Sequence, residues 1–273
     1  IVAVALCYIP MTTATGDTHL LAQAVRALTR QPASVFAIER NGKRYWVKRP
    51  GSDKHKPSHT LLRFVAWLSR IEMLRPTVSR GGQDAMTREL ARLERLRGAK
   101  FPVPRVAAVG EDFFVTEDNG AVLMNIARTL PEEGRDWLFA QIAQAAGILA
   151  SMHRQGLCHG RPSLKDIAVK DDRITFLDFE EAPEAVMTTE TACLRDVWLF
   201  LSSIGRLERK WPGLCAAAWQ GYREKAPEAL VRRFEEQALR LDRLSALLLK
   251  TGGRWFGRDV LGVLHTIRLV AGR

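Results

Sequence analysis

The first apolar pattern along the chain has a helical period. Leu20, Leu21, Ala24, Val25 and Leu28 place one apolar face on a helix over 17–30, with Asp17 or Thr18 positioned to cap it. The period then shortens. SVFAIER and RYWVKR flank NGK, and Asn-Gly supplies the positive φ angles of a type I′ turn, so a β-hairpin is predicted. Pro50 and Pro57, with polar residues between them, predict a loop over 51–59. Over 61–74 a broad apolar face (Leu61, Leu62, Phe64, Val65, Trp67, Leu68, Ile71) is set beside Arg63 and Arg70. That pattern suits a core helix with snorkelling arginines, and it equally suits a helix lying in a membrane interface. SRGG breaks the chain before a helix over 83–97, with Met86, Leu90, Leu93 and Leu96 on one side. Short strands are predicted at 106–109 and 113–116, and Asp118-Asn119-Gly120 reads as a turn or hinge.

Beyond Pro131 the helical period dominates. Trp137, Leu138, Ile142, Ala145, Ile148, Leu149 and Met152 mark a long buried face, and further helices are predicted over 191–204, 214–224, 227–250 and 256–270. Strands gathered between 34 and 117 and helices from 133 onward predict an α+β architecture with two lobes: 17–121, strand-rich, and 122–273, helical. The chain shows no internal repeat and no heptad run.

Composition sharpens this picture in three places. The 273 residues suffice for two packed lobes, and 47% apolar with 26% charged residues place the chain among ordinary globular proteins. The net charge of +11 is unevenly spread: eleven basic residues face three acids between Ile38 and Arg80. A local surplus of that kind suits an anionic partner, although a solubilising face would also account for it. Cys7, Cys158, Cys193 and Cys215 are far apart, with no CxxC pair and no Cys/His cluster at zinc spacing, so free thiols and a reducing compartment are expected. The apolar run 1–9 is too short to span a bilayer and lacks the basic leader of a signal peptide. Residues 1–10 are set aside from the fold, with Met11 a candidate start, and a cytoplasmic location is expected.

Four features carry the candidate chemistry, and their order matters more than any one of them. YWVKR places Lys48 in the second strand of the hairpin. RELARLERL places Glu89 on the helix that follows. HGRPSLKDIAV begins with His159 after a long helix, and ITFLDFEEA is an apolar strand leading to Asp178. Singly, each has an ordinary reading: a surface lysine, a surface glutamate paired with Arg92, a packed histidine, a strand end with acids. Together their order resembles the protein-kinase superfamily, with His159 to Asp166 at the spacing of H-x-D-x-x-x-x-N and Asp178 at the aspartate of DFG. Asp196 in RDVWLFLSS resembles the buried aspartate of the next large helix in that fold. The HG that opens the loop and the run REL…VPRV bring the resemblance closest to the bacterial lipopolysaccharide core (heptose and Kdo) kinases, over roughly residues 32–205.

That resemblance implies a two-lobed kinase-like fold, ATP with Mg²⁺ or Mn²⁺, and transfer of the γ-phosphoryl group to a sugar or other hydroxyl. Lys48, oriented by Glu89, would hold the nucleotide phosphates. Asp166 and Asp178 would bind metal, and His159, Arg161 and Asp166 would form the catalytic loop. A lipid-linked sugar and an anionic membrane surface are the implied partners, with peripheral attachment at the inner face of the membrane. A nucleic-acid partner is set aside, since Tyr45 and Trp46 read better as hairpin packing.

Two departures open an alternative. Arg161 stands where the proton-accepting aspartate belongs, and arginine stays protonated. It could clamp a phosphate or lock the loop by pairing with Asp166. No G-x-G-x-x-G precedes Lys48. The alternative is a pseudokinase acting as a binding or regulatory module at a membrane surface.

Overall fold

The computed structural model describes residues 19, 23, 24, 26, 27, 33–49, 82–252 and 270. The chain divides into two compact units, Ile1–Gly51 with Arg105–Asp118, and Ser52–Pro104 with Asn119–Arg273. The loop over 51–59 and the helices expected over 61–74 and 256–270 lie outside the described residues, as does Cys7.

The first unit is a four-stranded antiparallel sheet of β1 (Val35–Arg40), β2 (Lys43–Lys48), β3 (Val106–Val109) and β4 (Phe114–Glu117), in the order β1-β2-β4-β3. Asn41 and Gly42 have φ values of 51° and 71°, so the hairpin turns at the dipeptide that favours positive φ. Alternation places Phe36, Ile38 and Val47 on one face, where they form a core with Ala108, Phe113 and Val115. The described part of the 17–30 segment is helical and sets Ala24, fully buried, against that core. Trp46 donates its indole N–H to Asp118 Oδ1 at 2.9 Å.

The second unit holds six helices among its described residues: α1 (Gln83–Gly98), α2 (Leu123–Thr129), α3 (Arg135–Arg154), α4 (Thr189–Gly205), α5 (Leu214–Arg223) and α6 (Glu228–Gly252). It also contains a three-stranded sheet of β5 (Ala121–Val122), β6 (Ile167–Lys170) and β7 (Arg173–Phe176), ordered β5-β6-β7. Strands therefore continue past 117: β7 falls where ITFLDFEEA reads as an apolar strand, whereas β5 and β6 lie outside the 34–117 stretch in which strands gather in the sequence pattern. The second sheet hides because β5 has two residues, β6 has only four, and the β6–β7 turn places Asp171 and Asp172 at φ 49° and 59° without a glycine to mark it. No helix among the described residues is long and apolar enough to cross a membrane.

Helix α2 ends without a glycine cap, and its last carbonyls find side chains instead. Lys210 Nζ donates to the carbonyls of Arg128 at 2.7 Å and Leu130 at 2.9 Å, and the buried Trp211 indole donates to Ala127 O at 2.8 Å. Trp137, by contrast, hydrogen-bonds Asp172 at an exposed site. Trp211→Phe leaves the Ala127 carbonyl with only the longer contact from Lys210 Nζ, at 3.3 Å, and is expected to destabilise the protein by about 2 kcal/mol, against about 0.5 kcal/mol for Trp137→Phe. Urea unfolding of the two variants checks the difference.

Candidate active site

The second unit brings together five stretches of chain around residues 158–166 and 177–184. The β6–β7 hairpin does the first part of the work. Ile167 pairs with Phe176, so Asp166 and Leu177 flank the same end of the hairpin, and the Leu177 N–H donates to Asp166 O at 2.7 Å. Asp166 and Asp178 are thereby set on neighbouring stretches of backbone. The Asp166 carboxylate accepts from the Ser163 hydroxyl at 3.0 Å, and Asp178 has φ 64°, the left-handed region that a non-glycine residue adopts at a cost.

Helix α4 fixes the loop ahead of Asp166. Asp196 is fully buried, accepts the His159 N–H at 2.5 Å and the Gly160 N–H at 2.9 Å, and faces His153 Nε2 at 3.4 Å. Gly160 explains why the loop opens with HG. Its φ is 104°, a Cβ there would stand 2.5 Å from Glu181 O, and its own carbonyl accepts from Arg195.

His159 is completely buried, with its ring between Phe176 and Phe179. Arg161 N–H donates to Nδ1 at 3.3 Å, so Nε2 carries the hydrogen and donates to Leu177 O at 2.9 Å. Burial pulls its pKa down from the usual 6.5 to about 4, against the attraction of Asp196. With both nitrogens committed to backbone, His159 ties the loop to the backbone at Leu177.

Glu89 differs from its ordinary surface reading. It is buried on α1, three residues from Met86 and four from Leu93 on the same inward face, and its Oε1 accepts the Phe179 N–H at 3.3 Å. Arg92 does not pair with it. Arg92 donates to the carbonyls of Glu181 and Cys158 and to Glu184 Oε1 at 2.7 Å. Cys158, Cys193 and Cys215 are free and buried, and burial raises each thiol well above its ordinary pKa, so they stay protonated and unreactive.

Arg161 settles where the loop's extra charge goes. Its Nη2 lies 2.8 Å from Asp178 Oδ2 and its Nε 3.0 Å from Glu181 Oε1. Its hydrogen-bonded partner is thus Asp178 and not Asp166. Burial opposes the guanidinium charge, but Asp178, Glu181, Asp166 and Glu180 outweigh it and hold the pKa above its ordinary value. Glu181 is in turn held by Arg195 Nη2 at 3.1 Å. Glu181 and Arg195 were not singled out by the sequence, and Arg92 was named there only as a partner for Glu89. Their only signals were the consecutive acids of FEEA and the arginine beside Asp196.

A divalent metal ion at Asp166 and Asp178 needs carboxylate oxygens facing open space, completed by phosphate oxygens. The donor set as arranged does not offer that. One Asp178 oxygen is bound to a guanidinium, and no group of three or more His, Cys, Asp or Glu side chains among the described residues could hold a metal. Lys48 belongs to the first unit. It closes β2, paired with Val35 and Phe114, on the sheet face opposite the buried Val47.

No protein-family model matches the chain. An uncharacterised protein of Haemophilus influenzae is 28% identical over 176 residues, 64% of this chain and 64% of that protein, so the match spans under two thirds of the relative's length. Among solved structures, an aminoglycoside-3′-phosphotransferase of type VIII has 15% identity and a TM-score of 0.46, over 92% of this chain and 99% of that one. Rad53 1–466 in complex with AMP-PNP has 19% identity and a TM-score of 0.38, over 87% of this chain and 62% of that one. Choline kinase LicA from Streptococcus pneumoniae has 9% identity and a TM-score of 0.35, over 93% of this chain and 99% of that one.

The buried, neutral His159 links stability to pH. The unfolded chain takes up a proton near pH 6.5 that the folded chain refuses until about pH 4, so stability falls as pH drops through that window. The loss is about 3 kcal/mol at the acid end. Urea unfolding from pH 7.5 to 4.5 is expected to show this slope in the wild type and a shallower one in His159→Gln.

Proposed function

We propose that the chain is an ATP-binding phosphotransferase with the two-lobed design expected for 17–121 and 122–273, passing the γ-phosphoryl group to a hydroxyl acceptor. The observation that carries this reading is the Leu177–Asp166 backbone bridge, which sets the two aspartates of HGRPSLKD and FLDFEEA side by side on a loop fixed by Asp196. Phosphoryl transfer is catalysed mainly by positioning and charge neutralisation, with little covalent work for the protein. Lys48 and Glu89 are the groups assigned to the nucleotide phosphates. Asp166 is the carboxylate assigned to the proton of the acceptor hydroxyl, since Arg161 cannot accept one. A sugar of the lipopolysaccharide core is the acceptor favoured by the HG loop and by the basic and apolar residues of 54–80, which would suit a lipid-borne substrate.

A second reading has its own support. The 2.8 Å pair of Arg161 with Asp178 neutralises a carboxylate that phosphotransfer would call upon, and so favours a pseudokinase that binds nucleotide or a partner without turnover.

The two readings part in one experiment. The phosphotransferase raises its melting temperature with ATP and transfers ³²P from [γ-³²P]ATP to lipopolysaccharide core acceptors. Lys48→Ala loses the thermal shift. Asp166→Asn keeps it while the rate falls by about 10²–10⁴. A thermal shift without transfer to any hydroxyl acceptor selects the binding module, and neither shift nor transfer rejects both nucleotide readings.

A further inference from the structure

We infer that Arg161 is a built-in cation: its guanidinium holds the Asp178 carboxylate in place of a divalent metal ion, and the centre engages phosphate without one. The part about phosphate rests on the nucleotide reading above, whereas the part about Asp178 stands on geometry alone.

The guanidinium spans two carboxylates, with Nη2 at 2.8 Å from Asp178 Oδ2 and Nε at 3.0 Å from Glu181 Oε1. Among the described residues its third nitrogen, Nη1, has no hydrogen-bond partner, and 45% of the side chain is exposed. A planar fork with one free edge is suited to an anionic oxygen on that edge while the other two nitrogens stay engaged. The side chain is not free to swing aside at little cost. Glu181 is anchored at its carboxylate by Arg195 and at its carbonyl by Arg92, and the left-handed backbone of Asp178 fixes where the other carboxylate starts.

Charge decides against a metal sharing the same place. A divalent ion on Asp178 would stand within a few ångströms of a permanent positive charge that Asp178, Glu181 and Asp166 already attract. Removing Arg161 reverses the balance. Asp178 and Glu181 each lose one counter-charge beside Asp166, Glu181 keeping Arg195, and such oxygen donors attract a hard divalent cation.

The test is Mn²⁺ binding to the full chain, followed by electron paramagnetic resonance, with Mn²⁺ alone as the probe. The wild type is expected to show no Mn²⁺ site that depends on Asp178, and Asp178→Asn leaves its weak binding unchanged. Arg161→Gln is expected to bind Mn²⁺ more than about ten-fold tighter than the wild type, and the Arg161→Gln/Asp178→Asn double variant to lose that gain. Wild-type Mn²⁺ binding that falls in Asp178→Asn overturns the inference, and this arm decides the matter even where Arg161→Gln fails to fold. In the nucleotide arm, an ATP thermal shift that is the same in EDTA and in Mg²⁺ supports phosphate binding without metal. A shift present only with Mg²⁺ overturns it. Absence of a shift in both refutes the nucleotide reading, and the Mn²⁺ comparison then decides the role of Arg161.

Discussion

The candidate centre hangs on one buried carboxylate. Asp196 has no exposure, and taking a charge out of water is costly unless it is surrounded by donors. Its donors are the backbone N–H groups of His159 and Gly160, with His153 Nε2 nearby. Helix α4 therefore determines the course of the loop before Asp166, because only that course satisfies the charge. His153 is committed in the same way, with Nδ1 accepting from the Tyr222 hydroxyl at 2.7 Å, so helices α3, α4 and α5 are tied to one site. Once the loop is fixed, His159 packs between two phenylalanines and bonds Leu177 O, and the backbone after β7 follows.

A second layer of charge joins the loop to the chain after Asp178. Arg92, Arg161 and Arg195 alternate with Asp178, Glu181 and Glu184, and each arginine reaches groups far away in sequence. Ion pairs of this partly buried kind contribute little net stability when desolvation is counted. Their effect is on geometry: they leave residues 158–161 and 178–184 few alternative arrangements. That matters more for a site than for a fold, since a site depends on placing charge correctly.

How much of this was legible follows from the range of the interactions. The Asn41-Gly42 turn was, because a two-residue turn is decided by its own residues. So was α1, where the spacing of Met86, Leu93 and Leu96 also put Glu89 on the inward face, a burial visible only once that stripe is extended to a charged residue. The motif order singled out Asp166 and Asp178, and the hairpin register brings their backbones side by side. The sheet β5-β6-β7 was not legible as a sheet, since strands of two to four residues carry too little alternation. The partner of Arg161 was not legible either. Seventeen residues separate it from Asp178, and no local pattern distinguishes that carboxylate from Asp166 five residues away.

Arg161 sets the sign of the charge in this loop. An aspartate at that position would add a negative charge beside Asp166, Asp178 and Glu181, and such a cluster needs cations from outside. The arginine reverses that sign, and it does so with a side chain whose charge no accessible pH removes. Its raised pKa and its two carboxylate contacts are the same fact seen twice: the cluster is stabilised by the guanidinium as much as the guanidinium is by the cluster. Without Arg161 this cluster would lack the guanidinium's charge. The loop itself supplies the counter-charge, which makes the electrostatic design of the centre coherent on its own terms.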